Sequence, residues 1–178
     1  GVMARIAPAA QSILDQASRL WPNRNRASDG TLGDASHSSR TSDHNPDSRG
    51  IVHAADLTHD PAHGVDCHRL AEQIKNDPRV KYVIWNRRIW SPSVSRSWRY
   101  YSGSNPHTAH MHVSVNSGSI ENSTAPWFKK EGFTVAEVEA IVNAIQRQGE
   151  LTREKIEAST DKIITAVQNQ GKLTREKI

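Results

Sequence analysis

Several things are scarce in this 178-residue chain, and each scarcity removes a class of structure. There is one cysteine, Cys67, which excludes both an intrachain disulfide framework and a thiolate-based zinc site. Any metal must therefore be held by His, Asp or Glu. No stretch approaches the roughly 18 apolar residues that a membrane-spanning helix needs, so no membrane insertion is expected. The first residues, Gly1-Val2-Met3-Ala4-Arg5, show neither the apolar run nor the small-residue cleavage site of a signal peptide. An exported role would then need another route. Apolar residues make up only 35% of the chain and charged residues 24%, which predicts that part of it buries little surface. The net charge of +4 is also unevenly placed: residues 1–133 hold 16 basic and 12 acidic side chains, whereas residues 134–178 hold seven of each. So modest a basic excess suits nucleic acid, an anionic wall or no particular partner.

The distribution of residue types divides the chain in two. All nine histidines lie between His37 and His112, all five tryptophans precede residue 128, and beyond Phe133 there is neither proline nor aromatic. We place a first domain at 1–116, a linker at 117–133 and a helical region at 134–178. The linker begins with the turn-rich run N-S-G-S-I-E-N-S-T from Asn116 to Thr124. The last region reads as one long helix. It opens on Thr134-Val135-Ala136-Glu137, a capping box, and repeats Asn143–Ile156 as Thr165–Ile178 at an offset of 22 residues. Ile145, Ile156, Val167 and Ile178 recur every 11 positions, a period that suits a nearly straight helical bundle. A single narrow apolar stripe cannot be buried by one helix alone. This predicts a coiled-coil stalk that joins copies of the chain in a homo-oligomer, with folding back on the first domain as the alternative.

Within the first domain, apolar spacing predicts helices over Pro8–Leu20 and Val65–Asn76. Strands are expected at Ile51–Leu57, Val80–Trp85, Arg88–Ser91 and Met111–Val115. The fold class is thus α+β, a small antiparallel sheet with flanking helices. In the last strand, alternation sends His112 and Ser114 to one face and Met111, Val113 and Val115 to the other.

Three segments concentrate metal-binding side chains: Ser42-Asp43-His44, His53-Ala54-Ala55-Asp56 and His107-Thr108-Ala109-His110-Met111-His112. On a strand, His110 and His112 share a face. Two histidines and a carboxylate form a common ligand set for catalytic zinc, which keeps a position open for water and lowers that water's pKa toward ~7. A separate side chain must then move the proton. Spacing alone does not name the metal. His59, His63 and His68, in or near the second helix, read as structural or surface residues.

In these segments the sequence resembles the zinc D-Ala-D-Ala carboxypeptidases and their relatives, the VanX-type dipeptidases and the phage L-alanyl-D-glutamate endopeptidases. Their fold is hedgehog/D-Ala-D-Ala-peptidase-like. Ser42-Asp43-His44 matches the S-x-H element, Ala54-Ala55-Asp56 the A-x-D element, and His107-x-x-His110-x-His112 the H-x-x-H-x-H form. The likeness is greatest to peptidase domains of actinobacteriophage endolysins and spans roughly residues 5–116. It implies one zinc ion on His44, Asp56 and His112, and a substrate in bacterial peptidoglycan. Two departures stand out. His44 and Asp56 are 12 positions apart, longer than the family interval, so an insertion within Asn45–His53 loops out and Asp43 or Asp47 could compete as ligand. Ala109 stands where many relatives have a catalytic Glu, which shifts the base to His110, with His107 second. The family's substrate-binding arginine corresponds to Arg26, with Arg40 the alternative. Asp34, His37 and Ser42 would shape the site, Ser42 also touching substrate. Trp85, Trp90, Trp98, Tyr100 and Tyr101 divide between groove and core.

The expectation is a zinc peptidase from a phage lysis system or particle. It would be made without a signal peptide, and holin release or carriage in a virion would bring it to the wall. Two rivals are a His-Asn-His-type nuclease, suggested by Asp43-His44-Asn45-Pro46, and a non-catalytic wall-binding module.

Overall fold

A computed structural model describes residues 3–34, 40–129, 135–148 and 153–169. The chain forms two compact units, Gly1–Phe128 and Lys129–Ile178. The first is built on a five-stranded antiparallel sheet. Its strands are β3 (Ala54–Thr58), β4 (Val80–Trp85), β5 (Arg88–Ser91), β6 (Ser95–Tyr100) and β7 (His110–Val115), in the order β3-β7-β4-β5-β6. Two short strands, β1 (Arg5–Ile6) and β2 (Ile51–Val52), form a separate parallel pair. Helices α1 (Pro8–Leu20) and α2 (Cys67–Ile74) flank the sheet.

The helices form where the sequence predicts them, for identifiable reasons. Proline occupies the first turn of α1, where its missing N–H costs nothing, and Ala9, Ala10, Ile13 and Ala17 make one buried face. Asp66 caps α2 by accepting from the backbone N–H of His68, and Leu70, Ala71 and Ile74 face inward. Both helices pack on the sheet face that carries Met111, Val113 and Val115, all fully or almost fully buried. The opposite face carries the histidines.

The region beyond residue 116 differs from the expectation of a linker at 117–133. Residues 117–128 belong to the first unit. A 3-10 turn at Ser119–Asn122 brings Glu121 onto Arg49, at 2.8 and 2.9 Å, and onto His53, at 2.6 Å. Trp127 is buried; its indole N–H donates to the Ala9 carbonyl and the Ser12 hydroxyl, both at 3.0 Å. Its backbone N–H donates to Gln16 Oε1 at 2.6 Å. The Arg79 guanidinium lies 3.6 Å over the Trp127 ring and donates to the carbonyls of Ser123, Ala125 and Pro126. The segment reads as a linker because the side-chain contacts that hold it to the domain are long-range.

The second unit is helical, but as two helices, α3 (Val135–Arg147) and α4 (Arg153–Asn169), which contact each other. A single straight helix would hold these segments apart along one axis, so the contact between them excludes that arrangement. Val138 and Val167 are buried, so these two apolar positions are covered without a second copy of the chain. Thr134 of the expected capping box, Gly149 and the end of the second repeat lie outside the described residues.

Trp127→Ala should lower the unfolding free energy by about 3–5 kcal/mol, measured by denaturant titration of the full chain. Arg49, and then His53, hold the Glu121 carboxyl down at about 2, below its ordinary 4.5, against the opposing effect of burial. A lowered carboxyl stabilises the fold above its unfolded pKa and loses that effect as protons return. Thermal stability should therefore fall between pH 4.5 and about 2, and Glu121→Gln should flatten the slope in that window.

Candidate metal centre

The site begins with one register pair. Antiparallel pairing of β3 with β7 sets Asp56 opposite His112, and paired residues project from the same face with Cβ atoms about 4.5–5.5 Å apart. On the far side of β3, Gly30 and Asp56 exchange backbone hydrogen bonds at 2.7 and 3.2 Å, pinning the carboxylate-bearing residue from both edges. His44 arrives from a loop. The Ser42 hydroxyl accepts from its backbone N–H at 3.2 Å, and its carbonyl accepts from Gly33 at 2.9 Å.

Three ligating side chains converge. His44 Nε2 lies 3.0 Å from His112 Nδ1 and 3.1 Å from Asp56 Oδ2, while His112 Nδ1 lies 3.0 Å from Asp56 Oδ1. The other nitrogen of each ring is committed elsewhere. His44 Nδ1 must donate, because its partner 2.6 Å away is the Thr31 carbonyl. His112 Nε2 lies 2.8 Å from Ser114 Oγ. In the neutral tautomers these contacts select, both rings aim bare lone pairs at a carboxylate. Such a cluster favours positive charge at its centre, supplied by a proton or by a metal, so this group could hold a metal ion. The ionisation tendencies agree. Burial alone would raise the Asp56 carboxyl, but hydrogen bonds from His112 and His44 hold it well below the usual carboxylate range. Burial opposes charge on His44, yet Asp56 prevails and raises its pKa.

Behind His112 runs a chain that the sequence did not disclose. Ser114 Oγ takes the His112 Nε2 proton and hydrogen-bonds to the Asp43 carboxylate. Asp43 is also held by Lys81 Nζ at 2.9 and 3.0 Å, and Tyr82 stacks on His112 with 5.4 Å between ring centroids. Asp43 is thus engaged behind the site. Asp47 is engaged too, by Arg49 and the Ile51 backbone. Neither competes with Asp56.

The remaining candidates divide. His110 Nε2 lies 3.6 Å from Asp56 Oδ2. The His107 ring lies 5.0 Å from that of His110 and 5.7 Å from that of His112. Burial lowers the pKa of His110. Burial, followed by the nearby His112 and His110, takes His107 down to about 4. Both rings are therefore neutral near pH 7, beside the triad. Arg26 is not brought there by any contact among the described residues: it is exposed and donates to the Arg24 carbonyl at 3.1 Å. The arginine that does become buried nearby is Arg24, paired with Asp29 at 2.6 Å. Arg40 is exposed and gives its carbonyl to Asn45. Ser42 is half-buried and orients His44, Asp34 is exposed, and His37 lies outside the described residues. Trp85 and Trp90 are core residues, Trp98 packs on Trp90, Tyr101 meets the His107 ring at 5.6 Å, and Tyr100 is exposed. His59 and His68 pack around Trp85, whereas the largely exposed His63 pairs with Asp60.

The family model described as VldE, C-terminal domain matches residues 4–112, from the first strand through the last histidine of the triad. The chain belongs to this family. No curated protein and no solved structure matches it.

Ser114→Ala removes the acceptor that fixes the His112 tautomer. Supporting groups of this kind are typically worth about 10–100-fold in metal affinity. Competition with a chromogenic chelator, using Zn2+ and Co2+, should show a loss of that size. His112→Ala should lose more.

Proposed function

We propose that this chain is a zinc-dependent peptidase that hydrolyses a peptide bond in bacterial peptidoglycan. The observation that carries the reading is the convergence of three ligating side chains, His44, Asp56 and His112, through contacts of 3.0–3.1 Å. Tetrahedral zinc with bonds near 2.0–2.1 Å separates its ligand atoms by about 3.4 Å, so small side-chain adjustments would admit it. His44, Asp56 and His112 would hold the ion. When bound, zinc supplies Lewis-acid chemistry, polarising a carbonyl and making water more acidic. The wall substrate rests on the resemblance of the S-D-H, A-A-D and H-T-A-H-M-H segments to peptidoglycan peptidases.

The chain's own groups suit the rest of the reaction. His110 is neutral, stands beside Asp56, and is able to accept a proton from an attacking water and return it to the departing amine. Asp56, 3.6 Å away, favours the transiently charged imidazolium. His107 stands behind His110. Its Nδ1 donates to the Asn105 carbonyl at 2.8 Å, which fixes its tautomer and leaves Nε2 bare, so His107 stays the second candidate for the base. In this reading the helical unit joins the enzyme to a second copy or another module, raising avidity without new contacts.

Digestion of purified peptidoglycan, with and without a chelator, followed by mass analysis of the fragments, tests the reading. New amino termini at one type of bond should appear. They should vanish with the chelator, return with Zn2+ and be absent with His112→Ala. Wall binding without new termini would leave a non-catalytic module, and cleavage of plasmid DNA instead would favour the nuclease.

A further inference from the structure

The strand registers run a single row across the whole sheet. Asp56 pairs with His112, His112 with Ile84, Ile84 with Ile89, and Ile89 with Arg99. Residues paired in this way project from one face, so Arg99, on the edge strand β6, shares the face of the metal centre. An independent contact agrees. Its neighbour Trp98 faces the other way, donating from its indole N–H to Glu72 on α2 at 2.7 Å and packing on Trp90. Arg99 is exposed, and no ion pair or hydrogen bond engages its guanidinium among the described residues. The residues between it and the triad are apolar, Ile84 buried and Ile89 half-buried. Along the sequence its surroundings are basic: from Pro78 to Ile120 there is no acidic residue, but there are six basic ones.

We propose that Arg99 is a specificity-determining residue that takes a carboxylate of the substrate, three to four residues from the scissile bond. The inference rests on the peptidase reading for the meaning of that bond. The distance comes from the sheet. Three strand spacings of about 4.8 Å place the Arg99 backbone about 14 Å from that of His112, and an extended peptide covers about 3.3–3.6 Å per residue. A peptide lying across the strands, with its reacting carbonyl at the triad, brings its third or fourth residue to the sheet edge. A guanidinium there pairs a carboxylate through two parallel N–H donors, which lysine cannot reproduce. Arg99 thus offers the anion-holding role that the family resemblance implies for Arg26.

Peptides built around the bond that wall digestion identifies would carry one glutamate, or glutamine in its place, stepped along both sides. If no bond is cut, an eight-residue alanine scaffold serves. Two readouts are taken: KM and kcat on the zinc-loaded protein, and binding to the metal-free protein by calorimetry. The wild type should prefer glutamate over glutamine at the third or fourth position by about tenfold in KM and in binding. Arg99→Gln should erase the preference with kcat little changed, and Arg99→Lys should keep only part of it. No preference in the wild type, or one that survives in Arg99→Gln, overturns the assignment. Cleavage without preference sinks Arg99 and spares the peptidase; preferential binding without cleavage does the reverse.

Discussion

Two histidine nitrogens and a carboxylate face one another across contacts of 3.0–3.1 Å, and much of the first unit is arranged to keep them so. Each, left facing the others without a cation, forfeits hydrogen bonds that water would supply, at about 1–3 kcal/mol per buried group. The fold bears this because none of the three can turn away. Asp56 is fixed between Gly30 and His112 by strand pairing. His112 is fixed by Ser114 behind it and Tyr82 on its flank. His44 is fixed by the Thr31 carbonyl and by a loop whose next-door residue, Asp43, is tied to Lys81. The lowered Asp56 carboxyl and the raised His44 express the same fact: the cluster favours positive charge at its centre.

One strand divides this labour. In β7, Met111, Val113 and Val115 enter the core beneath α1 and α2, while His110, His112 and Ser114 form the site. A slip of one residue would exchange the two sets, putting histidines into the core and methionine among the candidate ligands. Core packing therefore specifies the register that chemistry needs, with no separate device for it. The same alternation carries through β4 and β5 to β6, which is why a sheet edge remote from the histidines still shares their face.

Legibility in the sequence followed the range of the interactions. The helix Pro8–Leu20 and the strands Val80–Trp85 and Arg88–Ser91 have the expected bounds, because periodicity and propensity act locally. The triad was readable because each member sits in a short motif. Strand β6 was not foreseen: S-R-S-W-R-Y has only Trp98 to bury, and an edge strand needs no more. Residues 117–128 looked like a linker, since Glu121 and Trp127 are held by Arg49, Ala9, Gln16 and Arg79, and Phe128 by Trp21, all far away in sequence. For the same reason spacing could not choose among Asp43, Asp47 and Asp56. Their partners Lys81, Arg49 and His112 made the choice. Nor could spacing see that Arg24 is buried against Asp29 while Arg26 is left exposed.

A second group, His59, Asp66 and His68, has the composition of the triad and brings its ligating atoms within 4.8 Å of one another, yet its chemistry is the reverse. His59 Nδ1 accepts from the backbone N–H of Cys67 at 3.1 Å, and His68 Nδ1 accepts from the Trp85 indole N–H at 3.1 Å. A neutral imidazole that accepts at Nδ1 carries its proton on Nε2, so neither ring retains a bare nitrogen for a metal. Asp66 is occupied in capping α2. At the triad the outer partners are acceptors, a carbonyl and a hydroxyl, and they push the lone pairs inward. At the second group the outer partners are donors, and they draw the lone pairs away. The sign of the hydrogen bond at the far nitrogen, rather than the number of histidines gathered, separates a metal centre from aromatic packing around Trp85.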